Sequence, residues 1–151
     1  MAFVLSACTG AGWIDFQTPS RRGLLTTLQH FETGVRLQDW PLLMESYYLS
    51  DHAGEAKKAY GNDLKWWFLA DKLIADILGN SSGQPRFFCT LALREKHFSP
   101  NFEPHFVVYY RIQKTSCREQ LDSFFGVIAE GRMEWGFETK QRRWIHLRKL
   151  G

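Results

Sequence analysis

The feature that most constrains the fold is the alternation of apolar and polar residues through the second half of the chain, residues 86–150. A period of two is the pattern of a β-strand, because successive side chains point to opposite faces of the sheet. Polar turns divide the stretch into segments 86–96, 103–114, 124–138 and 143–150. The sequence therefore predicts long strands joined as an antiparallel meander.

The third of these segments contains glycine at three interior positions, Gly126, Gly131 and Gly136. Glycine inside a strand usually marks a bulge or a bend, so this strand is predicted to curve. Its two faces also differ in chemistry. One face carries Val127, Ala129, Met133 and Trp135, and the other carries Glu130, Arg132 and Glu134.

The first half of the chain has the spacing of helices. Ser20 is a predicted N-cap, and the helix that it starts is expected to end near Leu37. Asp39 is the predicted cap of a second helix that continues to about Leu49, and the strongest helical pattern covers residues 64–78. The apolar face of the first helix consists of Leu24, Leu28, Phe31 and Val35.

Composition limits the class of protein. A chain of 151 residues suits one domain, and a net charge of +3 from 19 basic and 16 acidic residues is too mixed for a nucleic-acid-binding protein. The scattered histidines and cysteines match no metal-binding spacing, so neither a metal nor another cofactor is expected. An aromatic content of 15% fits a sheet packed with large side chains or a pocket lined by rings.

The N-terminus resembles the lipobox of bacterial lipoproteins, in which an aliphatic residue and two small residues precede a cysteine that becomes lipidated. Here the four residues are Leu5, Ser6, Ala7 and Cys8. Only seven residues precede the cysteine, and none is Lys or Arg, whereas a signal peptide needs a charged start and an apolar run. Either Met1 is an internal methionine of a longer signal peptide, or the match is chance in a cytoplasmic protein.

Two further segments resemble the SnoaL-like superfamily, which includes nuclear-transport-factor-like and ketosteroid-isomerase-like proteins. The sequence FETGVRLQDWPLL at residues 31–43 is similar to the junction of its first two helices, and FETKQRRWI at 137–145 is similar to its closing hairpin. The resemblance implies a cystatin-like α+β cone, with N-terminal helices packed on a curved antiparallel sheet. Residues 20–151 would form this single domain, after a tail or signal-peptide remnant at 1–19.

Candidate site residues follow from the predicted faces. If His105 and Glu130 met inside the cone, they would form an acid–base pair, but the stronger explanation is that they lie on the solvated outside of the sheet, in cross-strand ion pairs worth little each. The catalytic set of the isomerase-like members has no matching positions, so none is carried over. The candidate ligand-binding rings are Tyr48, Trp67, Tyr109 and Trp135.

The sequence favours a non-enzymatic binding or assembly domain, displayed by a lipoprotein of the bacterial cell envelope and anchored to the membrane through Cys8. The expected partners are a hydrophobic small molecule and a second copy of the chain, docked through the sheet face; Trp135 and Trp144 are candidates for that surface. Cys89 and Cys117 would be able to pair in an oxidising envelope. The alternative function is a small cone-fold isomerase, cyclase or dehydratase acting on a hydrophobic molecule, and a third is a cytoplasmic ligand-binding protein.

Overall fold

The computed structural model describes residues 18–47, 63–79, 85–96, 103–119 and 126–151. In this part of the chain, four helices precede four strands, which confirms the predicted α+β class. The helices are α1 (Arg21–Arg36), α2 (Trp40–Met44), α3 (Leu64–Leu69) and α4 (Lys72–Leu78), and the strands are β1 (Phe87–Lys96), β2 (His105–Gln113), β3 (Val127–Glu138) and β4 (Arg143–Lys149).

The four strands form one antiparallel sheet in the order β1-β2-β3-β4, so the predicted meander is confirmed. Each pair of strands contains one register shift, at Thr90/Ala92, Ile112/Gln113 and Glu134/Trp135. The β1–β2 shift lies in two strands that contain no glycine, whereas the other two shifts lie near Gly126 and Gly136. Gly126 has a different role, because its φ of 87° places it in the left-handed region directly before β3.

The hydrophobic core combines one face of the sheet with the buried sides of the helices. On β3, the apolar face with Met133, Trp135 and Phe137 belongs to this core, and Glu130 and Glu134 lie on the opposite face, called here the outer face. The predicted apolar side of α1 is buried in the same cluster. Its members from α1 and β2 are Leu24, Leu28, Phe31, Val35, Phe106, Val108, Tyr110 and Ile112.

Two predicted helix starts are confirmed by their caps. The Ser20 side chain accepts a hydrogen bond from the Gly23 N–H at 3.0 Å, and the Asp39 carboxylate accepts one from the Leu42 N–H at 3.3 Å. Each cap satisfies an N–H that the first turn of a helix leaves without an intrahelical partner.

Helix α2 is shorter than predicted, because it ends at Met44 instead of near Leu49. Tyr47 leaves the helical path to form an isolated parallel bridge with His146 of β4, and the His146 N–H donates to the Ser46 carbonyl at 2.6 Å. The Tyr47 N–H still donates to the Leu43 carbonyl at 2.7 Å, as in a helix, but the Ser46 carbonyl accepts from β4 instead of from a later turn of the helix. The last residues of the predicted helix lie outside the described part of the chain.

The prediction of one continuous helix over residues 64–78 is wrong, because the chain breaks at Ala70 and Asp71 to give α3 and α4. The break changes the side of the helix that faces the core. Leu73 and Ile77 are buried, whereas Ala75, which a continuous helix would place on the apolar stripe, is exposed.

Asp71 is the cause of this break. Its carboxylate accepts a hydrogen bond from the Ile74 N–H at 3.1 Å, as the N-cap of α4, and another from the Tyr47 hydroxyl at 3.2 Å. A cap in extended conformation cannot also continue the preceding helix. The second hydrogen bond comes from a distant residue, which periodicity in the local sequence cannot reveal.

A disulfide joins Cys89 of β1 to Cys117 in the turn after β2, with the two Cα atoms 5.3 Å apart. Cys89 is buried on the outer face of the sheet and Cys117 is exposed. The bond therefore ties an edge strand of the sheet to the connection that leaves its neighbour.

Gly131 leaves room for the side chain opposite it in the β2–β3 ladder, that of Tyr110. A Cβ at position 131 would lie 2.5 Å from the Tyr110 hydroxyl oxygen and 2.8 Å from its Cζ. The Tyr110 ring is buried and stacks on Phe88 with centroids 5.4 Å apart, so it has little freedom to move aside.

We expect Gly131→Ala to lower the free energy of unfolding by about 1–3 kcal/mol through this overpacking, as measured by denaturant titration. Tyr110→Leu removes the opposing atoms, so the same alanine should cost under about 1 kcal/mol in that background. An equal cost in both backgrounds would contradict the steric explanation.

Candidate functional site

The structure does not bring the predicted ligand-binding rings together. Tyr48, like the proposed lipidation site Cys8, lies outside the described residues. Trp67 is half-buried on α3, and Tyr109 is half-buried on the outer face of β2. Trp135 is fully buried in the core on the other side of the sheet, so Tyr109 and Trp135 cannot line one pocket.

Trp144 is also buried in the core, where its ring contacts Phe137 edge-on with centroids 5.5 Å apart. The sequence suggested that Trp144 and Trp135 lie on a surface that joins two copies of the chain. A fully buried ring cannot form such a surface, so the prediction is wrong for both tryptophans. The alternation of β3 and β4 turns both toward the helices.

The suggested pair of His105 and Glu130 does not form. Both lie on the outer face, but the β2–β3 register places His105 opposite Gly136 and Glu130 opposite Arg111. The Glu130 carboxylate is instead paired with Arg111, at 2.6 Å from its guanidinium. The two residues therefore lie at opposite ends of the ladder, which rules out an acid–base pair between them.

His105 lies next to a different carboxylate, that of Glu134, with its Nε2 3.3 Å from Oε2 but not aligned for a hydrogen bond. Glu134 accepts hydrogen bonds from Lys96 at 3.0 Å and from Arg148 at 2.9 Å. Burial raises the pKa of Glu134, but the hydrogen bonds and charges of these two cations outweigh it and lower the pKa to about 2. Glu134 is therefore a stable anion, suited to an ion-pair cluster and unsuited to proton transfer near neutral pH.

On the core side of the sheet, Tyr47, Asp71, Trp135 and His146 form a group of polar side chains in contact, called here the core polar cluster. The Tyr47 hydroxyl is 3.2 Å from both carboxylate oxygens of Asp71. The Tyr47 ring stacks on His146 with centroids 4.2 Å apart, and Trp135 meets His146 edge-on at 5.5 Å. A carboxylate, a phenol and an imidazole are thus in contact beneath the helices.

The surroundings of this cluster disfavour charge. Burial raises the pKa of Asp71, and the hydrogen bonds from Ile74 and Tyr47 offset only part of that effect. Burial, followed by the nearby carboxylates of Asp71 and Asp76, raises the pKa of Tyr110 to about 12. The indole Nε1 of Trp135 has no hydrogen-bond acceptor among the described residues. An unmet buried donor costs free energy, so this part of the core is polar at a cost to stability.

A cavity of about 60 Å³ lies between α1, α2 and the start of β4. We call it the α1–α2 pocket. Phe31 belongs to its wall and also stacks on Tyr47 with centroids 5.0 Å apart, so the pocket adjoins the core polar cluster. The lining residues are Thr27, His30, Phe31, Leu42, Leu43, Glu45, Ser46 and Arg143.

Arg143 is the most unusual side chain of this pocket. Its Nε is buried and has no hydrogen-bond partner among the described residues. The guanidinium also forms no ion pair with any of these residues. Glu45 lines the same pocket but is exposed and does not pair with it. Arginine seldom leaves a buried donor unmet, because each such donor loses its water without compensation.

Sequence reasoning assigned no site role to Asp71, His146 or Arg143. Arg143 belonged to a basic run that resembles an ordinary strand end, and His146 occupied an alternating position like its neighbours. Only Asp71 carried a signal, since it is an acidic residue beside the apolar stripe of a predicted helix. The contacts that make these residues notable come from segments far apart in the chain.

Comparison with known proteins identified no relative: no family model, curated protein or solved structure matched the chain. Membership of the SnoaL-like superfamily therefore stays a prediction. Within the described ranges, no helix is long and apolar enough to cross a membrane. The same part of the chain brings together no group of three or more His, Cys, Asp or Glu side chains that could hold a metal ion.

The two carboxylates should give opposite contributions to the pH dependence of stability. Glu134 contributes stability above its unfolded pKa near 4.5 that is lost as the pH falls toward 2. We expect this contribution to the free energy of unfolding to be about 2–3 kcal/mol, because salt and the half-exposed cations weaken the ion pairs. The contribution of Asp71 has the other sign: it is greatest below 3.8 and is lost as the pH rises through its raised folded pKa.

Denaturant titrations from pH 7 to pH 2 test both signs. Glu134→Gln should lose less stability on acidification than the wild type, and Asp71→Asn should lose more. Parallel pH profiles for the wild type and both variants would contradict the assignment.

Proposed function

We propose that this chain is a non-enzymatic binding domain that holds a small molecule in the α1–α2 pocket. The observation that supports the proposal is the half-buried Arg143 beside a cavity, whose buried Nε has no hydrogen-bond partner among the described residues. A bound molecule with acceptor atoms would satisfy that donor and recover the free energy lost by its burial. Phe31, Leu42 and Leu43 supply apolar walls, as ligand sites with few polar groups do.

At the level of the fold, we propose that the helices and sheet form the cone-shaped roll of the SnoaL-like superfamily. The order of elements supports this proposal, since helices precede an antiparallel meander and one sheet face joins them in the core. A homodimer through the outer face also stays a prediction, without a contribution from Trp135 or Trp144.

We further propose that the domain belongs to a lipoprotein of the bacterial envelope, anchored through Cys8. Two features support this location: the lipobox-like residues, and the Cys89–Cys117 disulfide, since disulfides persist mainly in oxidising compartments. The genomic sequence before Met1 tests it. An in-frame run of apolar residues after Lys or Arg is expected, and a stop codon next to Met1 would contradict the proposal.

The core polar cluster favours a second candidate, an isomerase, cyclase or dehydratase in which Asp71 transfers a proton. Its raised pKa and its contact with the Tyr47 hydroxyl are what such a role requires. Against it, the carboxylate is already engaged as the cap of α4. The comparison of wild type with Asp71→Asn locates its folded pKa, and only a value near neutral pH would favour catalysis.

Leu42 and Leu37 provide a matched test of binding. Both are exposed leucines near the same turn, at 44% and 74%, but only Leu42 lines the pocket. We expect Leu42→Gln to weaken the binding of the neutral alcohol 1-octanol, measured by isothermal titration calorimetry, by roughly fivefold, from about 1 kcal/mol of lost apolar contact. Leu37→Gln should leave 1-octanol binding unchanged.

The proposal would be contradicted if both variants bound 1-octanol as tightly as the wild type. Thermal unfolding of each variant shows whether a change in binding reflects lost structure instead of a lost wall.

A further inference from the structure

We propose that the ligand of the α1–α2 pocket carries a single carboxylate group, bound by Arg143, with an apolar chain attached. This inference rests on the proposed binding function and adds the chemical class of the ligand. Three properties of the pocket support it: the hydrogen-bonding groups that have no partner, the charges of the lining side chains and the size of the cavity.

Arg143 and Ser46 contribute unused hydrogen-bond donors to the pocket, and the Ser46 hydroxyl can accept as well. The Arg143 guanidinium has no partner among the described residues, and it has only N–H donors to offer. The Ser46 hydroxyl likewise forms no hydrogen bond within the described chain, because only its backbone carbonyl is used, by the His146 N–H. The Thr27 hydroxyl is different, since it already donates to the Gly23 carbonyl at 2.9 Å. A ligand that completes this pocket must therefore present acceptor oxygens.

The charge of the pocket selects an anion with one negative charge. Arg143 is always protonated and matches the planar geometry of a carboxylate. Glu45 lines the same pocket and adds a negative charge at its exposed side. One arginine partly opposed by one carboxylate favours a monoanion over the dianion of a phosphate monoester.

The dimensions of the cavity fit a head group and not a whole ligand. A volume of about 60 Å³ holds a few water molecules or one carboxylate with its first carbons. Leu43 is buried in the wall, whereas Leu42 is 44% exposed, so the apolar surface continues from the cavity toward solvent. An alkyl chain would leave along this surface while its carboxylate remained at Arg143.

Octanoate and 1-octanol provide the test, because they have chains of equal length and differ in the charged group. Isothermal titration calorimetry at pH 7 should show octanoate binding the wild type about tenfold more tightly than 1-octanol, the strength of a charge-assisted hydrogen bond. Arg143→Gln should remove most of this preference, because it weakens octanoate binding far more than octanol binding. Glu45→Gln should strengthen octanoate binding by roughly twofold to fivefold, through loss of a like charge.

Two further variants separate charge in the pocket from charge in general. Arg142→Gln removes the same charge from the neighbouring exposed position, which does not line the pocket, and should leave the octanoate preference intact. Arg143→Lys keeps the positive charge but lacks the planar guanidinium, so it should retain only part of the preference for octanoate over octanol. If Arg143→Gln fails to fold, the Glu45→Gln and Arg143→Lys results still decide the question.

The possible failures are distinguishable. Equal binding of octanoate and octanol by the wild type would overturn the carboxylate and leave the binding function standing. Stronger competition by inorganic phosphate than by octanoate would overturn the ligand class. No binding of either octanoate or octanol would reject the proposed function together with this inference.

Discussion

The side chain of Tyr47 is the contact on which the rest of the structure depends. Its hydroxyl binds the carboxylate of Asp71, its ring lies between Phe31 and His146, and its backbone pairs with β4. One residue thereby connects α1, α4 and the edge of the sheet. This explains why two helices differ from their predictions: α2 must end for Tyr47 to reach the sheet, and Asp71 must interrupt the next helix to cap α4 and meet the hydroxyl.

The two faces of the sheet bury carboxylates in physically different ways. On the outer face, Glu134 meets Lys96 and Arg148, and their charges more than repay its loss of water, so its pKa is lowered. In the core, Asp71 has hydrogen bonds but no ion pair among the described residues, so burial prevails and its pKa is raised. A buried acid is therefore structural or reactive according to its partners, and depth alone does not decide which.

Two buried N–H donors in or beside the α1–α2 pocket have no acceptor among the described residues: the Nε of Arg143 and the indole Nε1 of Trp135. The outer face pairs its carboxylates with cations, but it also holds His105, whose buried ring nitrogens form no hydrogen bond with the described residues. Phe31 lies in the pocket wall and meets the Trp135 ring edge-on, so it connects the pocket with Trp135. Packing alone offers no reason to retain such groups, since an apolar side chain of similar size would avoid the cost. These buried donors without acceptors are the observation that links a cavity of modest size to a binding function.

Local sequence determined the elements whose evidence is local. Alternation predicted the strands and their meander, and Ser20 and Asp39 marked helix starts because a cap binds an N–H only three residues away. The tertiary structure decided the break at Asp71, the separation of His105 from Glu130 and the exposure of Arg143 to a cavity. Each of these depends on residues brought together by strand register or by crossing segments. A sequence pattern records which residues are neighbours along the chain, whereas hydrogen bonding and charge act between neighbours in space.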